Sequence, residues 1–337
     1  MPITHGASAL SGDSVMRCTQ FWPFAALSIT PAPMNHDPSL PRAGHIALIG
    51  APNAGKSTLL NRMVGAKISI VTPKAQTTRV RVTGVTMEGE AQLVFVDVPG
   101  VFDATQGFEK SMVSAAWNAA RSADVILFIH DARKKPTEET EAVVARIRDL
   151  GKPAIIALNK VDAVADKKVL LERTVWFNER LVWQHIFMIS ARKGEGVDDL
   201  RVELAKMMPE GPPLYDRDAL TDMPMRLLAS ELTREQCFLK LQEELPYTLT
   251  VENEKYETRV DGSVEIHQNI IVQNERQKTI LIGAGGAMLK AIGERARHEI
   301  GRLAGGKCHL YLFVKVRADW KDKPESYSYL GLEFEKK

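Results

Sequence analysis

Cysteine is scarce. Three thiols, Cys18, Cys237 and Cys308, lie far apart in 337 residues, odd in number and without any CxxC or His/Cys metal spacing. That excludes a disulfide scaffold and fits reduced thiols in a cytosolic setting. Long apolar runs are lacking too: no stretch approaches the ~18–20 residues that span a bilayer as a helix. The nearest candidate, Phe21 to Leu27, is broken by Pro23 and preceded by one basic residue, Arg17, which argues against a secretory signal or an arginine-rich transit peptide. Net charge is nearly absent: 44 Lys and Arg against 42 Asp and Glu give +2, so the overall balance names no partner. What is present is ordinary. Apolar residues at 45% and charged residues at 26% exclude a fibrous or wholly disordered chain.

At roughly 100–200 residues per domain, the length predicts two domains. Residues 1–42 read as an extension without a folded role, either an upstream start-site artefact (Met34 opens a plausible polar leader) or a disordered segment. Residues 209–224 hold Pro209, Pro212, Pro213 and Pro224 with Gly211 and several acids, the composition of a linker. The expected domains are therefore 43–208 and 225–337.

In the first domain, apolar strand-length runs (His45–Gly50, Val80–Val85, Ala91–Val96, Val125–Ile129, Ala154–Leu158, His185–Ile189) alternate with helix-like stretches (Ser57–Val64, Glu109–Arg121, Glu138–Leu150, Lys167–Leu181, Val197–Met207). That alternation predicts an α/β domain, a mostly parallel sheet with helices on both faces. On such sheets ligands sit beyond the carboxyl ends of the strands.

The motifs fall there. Gly50-Ala51-Pro52-Asn53-Ala54-Gly55-Lys56-Ser57, followed by Thr58, matches GxxxxGK[ST] between a strand and a helix. Backbone N–H groups of such a turn converge on phosphate, assisted by the helix dipole. Lys56 is expected on the β/γ-phosphates and Ser57 on Mg²⁺. Asp97-Val98-Pro99-Gly100 closes another strand, with Asp97 a further Mg²⁺ ligand and the Gly100 N–H free to approach the γ-phosphate. Asn159-Lys160-Val161-Asp162 ends the next. A carboxylate at Asp162 accepts from guanine N1–H and its 2-amino group, a pair adenine lacks. Asn159 is expected at the base edge, the Lys160 stem over the ring, and the backbone at Ser190-Ala191 near guanine O6.

In order and context these residues resemble the translation-factor class of GTPases across 45–208. The resemblance implies a switch segment within Thr72–Arg79 whose threonine completes the Mg²⁺ shell when GTP is bound. Thr77 and Thr78 compete for that role, and Thr78 is preferred. Val101 stands where small GTPases carry a water-orienting glutamine nearby, so no catalytic residue is assigned and slow intrinsic hydrolysis is expected. Asn53 resembles the asparagine that some members use to help bind K⁺.

The second domain reads helix (Met225–Leu245, stopped by Pro246), strand (Tyr247–Val251), strand (Val264–Val272), helix, helix, strand (through Leu310, Leu312, Val314 and Val316). A Gly283-Ala284-Gly285-Gly286 turn joins the two middle helices. This α+β order resembles a type II KH domain, whose GxxG turn clamps a sugar-phosphate backbone over about four nucleotides. Residues 276–323 carry eleven Lys and Arg against four acids, a net +7, an electrostatic footprint for nucleic acid. Lys278, Lys290, Arg295, Arg297 and Lys315 are the expected contacts. Tyr311 and Phe313, opposite the leucines, are expected to pack on a helix rather than stack on bases.

A P-loop GTPase domain followed by a KH domain is similar to the Era family of ribosome-assembly GTPases, from Ala43 onward. The motifs include Ala229-Ser230-Glu231, Glu244-Leu245-Pro246-Tyr247 and Val314-Lys315-Val316 to Trp320. The resemblance implies GTP and GDP with Mg²⁺, recognition of the 3′ end of 16S ribosomal RNA, action on the small ribosomal subunit as a monomer, and a cytoplasmic location with peripheral contact at the inner face of the cell membrane. Two other readings stay open: a signalling switch whose KH-like domain binds protein or membrane, and an RNA-binding protein whose GTPase domain is structural.

Overall fold

In the computed structural model, residues 40–74, 77–101 and 107–323 are described. The expectation for residues 1–42 therefore lies almost wholly outside them, as does Phe102 beside Val101. Six strands form the first sheet: β1 (Arg42–Ile49), β2 (Val82–Glu88), β3 (Ala91–Asp97), β4 (Val125–Asp131), β5 (Ala154–Asn159) and β6 (His185–Ile189). Their order is β2-β3-β1-β4-β5-β6, and only β2 runs antiparallel to its neighbour. Five helices cross over it: α1 (Lys56–Val64), α2 (Gly107–Ser122), α3 (Glu138–Leu150), α4 (Lys168–Asn178) and α5 (Val197–Lys206).

Because strand side chains alternate between faces, the runs fill two cores. Ile46, Leu48, Leu93 and Phe95 pack with Leu59 and Met63 of α1 and Leu200 and Leu204 of α5. Ala47, Ile49, Ile126 and Phe128 pack with Trp117 of α2, Ile147 of α3 and Phe177 of α4. The sheet reverses direction of winding between β3 and β4, on either side of β1, so the turn after β1 opens into the crevice at the switch point.

The proline-rich 209–224 segment is irregular but not a loose linker. Gln92 accepts from the backbone N–H of Leu214 and Tyr215 and donates to Tyr215 O. Leu220 O accepts from Val85 N, and Thr221 donates to Thr83 O. The strap covers edge strand β2, whose free polar groups would otherwise invite pairing with another chain.

The second unit of secondary structure comprises α6 (Met225–Lys240), α7 (Leu245–Thr248), β7 (Thr250–Thr258), β8 (Val264–Val272), α8 (Glu275–Ile282), α9 (Ala287–Leu303) and β9 (Cys308–Val316). Its sheet is ordered β7-β8-β9, antiparallel then parallel. Two expectations fail here. The helix from Met225 ends at Lys240 rather than continuing to Pro246, which sits inside the separate single turn α7. The cause is tertiary: the Lys74 ammonium donates to Phe238 O and Leu241 O, capping the helix end with a cation from the other domain. Leu239, which helical spacing puts on one face with Leu228 and Leu232, is exposed while those two are buried.

Candidate functional site: a phosphate cradle coupled to a KH module

Gly55 adopts φ 104° at the N-cap of α1, a left-handed value that glycine tolerates. A β-carbon there would lie 2.2 Å from Asn159 Nδ2. Lys56 is buried, its ammonium donating to Gly50 O and Ala51 O at 3.1 and 3.3 Å. Burial lowers its pKa, and Asp97 partly offsets this. Those two carbonyls are stand-ins for the anion that a P-loop lysine serves.

Ser57, Thr78 and Asp97 converge. Ser57 Oγ lies 2.7 Å from Asp97 Oδ2 and 2.9 Å from Thr78 Oγ1. Asp97 is fully buried and its Oδ1 has no hydrogen-bond partner in the described structure. Burial raises the Asp97 pKa, against the pull of Lys56, Ser57, Ser69 and Thr78. An orphaned buried carboxylate oxygen beside two hydroxyls is the oxygen donor set that Mg²⁺ prefers, so the residues fit the ion. Thr77 is spent elsewhere: its hydroxyl bonds Lys74 O and Thr72 Oγ1, each at 2.7 Å. Ser69 was not singled out from the sequence, yet its hydroxyl donates to Asp97 Oδ2 at 3.1 Å. Asn61 of α1 holds it there, accepting from Ile68 N and Ser69 N at 2.9 Å each. No motif spacing marks Ser69; only the path of the switch segment brings it in.

A cavity of about 330 Å³ opens over this cluster, lined among others by Lys56, Ser57, Thr58, Thr77, Thr78 and Gly100. Gly100 is needed because a β-carbon would sit 2.7 Å from Pro52 N. Val98, Pro99 and Val101 are buried, and the Val101 N–H is used by Gly50 O.

The residues expected from sequence to recognise the base form a second cluster. Asn159 is buried and acts as a tie rather than an exposed edge: Nδ2 donates to Ala54 O at 2.8 Å, while Oδ1 accepts from Ala191 N at 3.0 Å. Lys160 has φ 68° and bonds Asn53 O and Asp131. Despite burial, hydrogen bonds from Arg133 and Lys160 hold Asp131 down to about 2. Ser190 and Arg192 each donate to Asp162 at 2.7 Å, lowering its pKa, with Ser190 the larger cause. Val161 is buried beneath. Asp162, Ser190 and Ala191 are absent from the cavity lining.

The switch segment is fastened to the second domain. Arg234 of α6 donates to Thr77 O, and Lys67 pairs with Glu235 at 2.6 Å and Glu299 at 3.3 Å. Glu235 accepts from Val71 N at 2.9 Å. Arg79, 1% exposed, donates to the carbonyls of Leu249, Tyr247 and Pro246 between the rings of Phe238 and Trp320. Trp320 in turn meets Phe108 of α2 edge-on.

Gly283 to Gly286 form a turn between α8 and α9 with Ala284 and Gly285 exposed. Beside α9 lies a groove of about 960 Å³ lined by Arg297, His298, Arg302, Lys307 and His309 together with the start of β9. Of the five expected basic contacts, only Arg297 lines it. Lys290 is exposed on α9 two turns earlier, and Lys278 on α8 pairs with Glu275. Arg295, two residues and so about 200° around α9 from Arg297, lines the cleft with Lys67 and Glu235 instead. Lys315 lies on the sheet face away from the helices, 3.4 Å from Glu254.

Comparison with known proteins matches residues 45–160 to the family described as 50S ribosome-binding GTPase and residues 244–321 to the KH domain family. A GTPase Era of Afipia carboxidovorans is 48% identical over 295 residues, 88% of this chain and 96% of that protein. A GTPase Era of Brucella suis is 49% identical over 293 residues, 87% and 94% respectively. Two solved structures align with TM-score 0.82 over 86% of this chain and 99% of each. One is a variant of Aquifex aeolicus Era bound to GDP and AlF4⁻, 39% identical; the other is Era in complex with MgGDPNP and nucleotides 1506–1542 of 16S ribosomal RNA, 38% identical.

Proposed function

Because the chain belongs to the Era family of GTPases, we propose that it binds the 3′ region of 16S ribosomal RNA through its KH domain and that its nucleotide state times this contact during small-subunit assembly. One observation carries the reading. The Thr77–Arg79 segment, which supplies Thr78 to the Asp97 cluster, is hydrogen-bonded at its neighbouring residues to α6 and α7. A change at the third phosphate therefore has a direct mechanical route to the RNA module. The basic groove along α9 and the exposed GxxG turn supply the receiving surface. Bound Mg²⁺ would neutralise charge developing on the β- and γ-phosphates. Ser57, Thr78 and Asp97 would hold it, Lys56 would bind the phosphates, and buried Val101 leaves the attacking water without a side-chain partner at that position, giving slow turnover.

Filter binding of the 1506–1542 fragment at rising salt tests the reading. With Arg297, Arg302 and Lys307 on phosphates, log affinity should fall with log salt at a slope of about −2 for a single strand. It should also differ between GDPNP and GDP. Absence of binding, or a flat salt response, would remove the RNA role and favour a protein-binding switch.

We infer K⁺ assistance as well. Asn53 Nδ2 donates to Pro73 O at 3.0 Å, which leaves the amide oxygen, the atom that ligates a cation, without a protein hydrogen bond among the described residues. Faster GTP turnover in K⁺ than in Na⁺ buffer is expected; equal rates would refute it.

A further inference from the structure

Even-numbered residues of β9 face the helices: Leu310 is buried, and Leu312 lies against Gly293 of α9. Tyr311 and Phe313 must then occupy the opposite face. They do not pack on a helix, contrary to the sequence-based expectation. At 46% and 48% exposure they are the exposed members of the Phe, Trp and Tyr side chains among the described residues. His267 of β8 backs both, with ring centroids 4.7 Å from Tyr311 and 6.2 Å from Phe313. The surroundings are charged and internally balanced. Lys255 bonds Glu265 at 3.0 Å, Arg259 pairs with the same carboxylate, and Lys315 pairs with Glu254.

We propose that Tyr311 and Phe313, backed by His267, form a base-stacking platform, which receives unpaired bases of the RNA strand after it leaves the α9 groove. The inference rests on the RNA-binding reading above and extends it from the α9 groove, whose end Tyr311 lines, onto the sheet face beyond it. Continuity supports it: β9 is the edge strand of its sheet, and Tyr311 and His309 also line the end of the basic groove. A strand whose phosphates follow Arg297, Arg302 and Lys307 reaches that edge and can turn its bases onto the two rings. Charge supports it too. A protein-docking core is apolar and depleted in charge, whereas isolated aromatic rings within a neutral frame of ion pairs suit a neutral base face while the phosphates stay on the basic edge.

The test compares the full chain with the double variant Tyr311→Ala/Phe313→Ala, using the 1506–1542 RNA fragment and a tetranucleotide from its 3′ end as probes. The variant should bind the long RNA ~10-fold or more weakly, from base–aromatic stacking, and the tetranucleotide and GTP turnover should be unchanged. The aromatic exchange Tyr311→Phe/Phe313→Tyr should restore long-RNA affinity. Equal binding of the long RNA by both proteins overturns the platform alone and leaves the surface to a protein partner. Equal loss for both RNA lengths also overturns it, since the rings would then act within the groove. Failure of the unmodified chain to bind either RNA overturns the RNA-binding reading and the platform together.

Discussion

Lys56→Ala is expected to weaken GTP and GDP binding by about 3–4 kcal/mol, roughly a hundred- to a thousand-fold in Kd. Before nucleotide arrives the ammonium is buried and held only by Gly50 O and Ala51 O. Burial works against its charge, as its lowered pKa records. Phosphate therefore replaces two weak carbonyl partners with a charge-assisted one in a site already paid for in desolvation. The measurement is direct: fluorescent GDP titration, together with the rise in Tm that saturating GDP produces. By linkage, nucleotide at a hundred times its Kd stabilises by about 2.7 kcal/mol, and the variant should lose this shift under the same conditions. A variant that retains the shift would show that the cradle does not grip phosphate through this residue.

Arg79→Ala should have the largest effect on the link between the domains. The guanidinium is 1% exposed, and burial, followed by repulsion from Arg234, pushes its pKa down to about 9, while Glu231 pulls it back up. It remains a cation at neutral pH, its two terminal nitrogens donating to three carbonyls at the start of the KH fold and its plane lying near two aromatic rings, while the buried Nε has no partner. Truncation leaves those carbonyls without their donor and opens a cavity between Phe238 and Trp320. The expected cost is about 3–5 kcal/mol in unfolding by urea. Arg79→Lys keeps the charge but not the planar fork, so an intermediate loss is expected. Since Arg79 does not line the phosphate cavity, GDP affinity should stay within a few-fold of the unmodified chain. The ratio of RNA affinities with GDPNP and GDP should fall towards one. A loss under ~1 kcal/mol would mean that the two domains do not depend on this contact.

Most candidate residues of the nucleotide site could be named because they belong to short, contiguous motifs at strand ends. The P-loop, Asp97–Gly100 and Asn159–Asp162 lie where β1, β3 and β5 finish, at or just beyond the strand ends. Backbone conformation there is set by neighbours in the chain, such as glycine at φ 104°. Some element boundaries in the first domain followed from the same local patterns: α3 and β6 match their expected ranges, whereas β1 starts at Arg42 rather than His45 and β2 covers Val82–Glu88 rather than Val80–Val85. The second domain was less legible in detail. The end of α6 depends on Lys74, more than 160 residues away in the chain. Strand alternation could place Tyr311 and Phe313 opposite the leucines, but not say whether that face is covered. Periodicity likewise marked Arg295 and Arg297 as basic without telling which side of α9 faces the groove.

The amino-acid sequence alone determined that this chain carries a guanine-nucleotide cradle followed by a KH-like module, because phosphate and base recognition use local backbone turns and side chains within a few residues of each other. The tertiary structure alone decided that Ser69 joins Thr78, the threonine preferred from sequence, in the Asp97 cluster, and that Arg79, Lys74 and Arg234 bind the switch segment to the second domain. Those choices depend on which buried carbonyls and carboxylates lack a partner once two separate cores have packed, and that is a property of the assembled fold rather than of any stretch of chain.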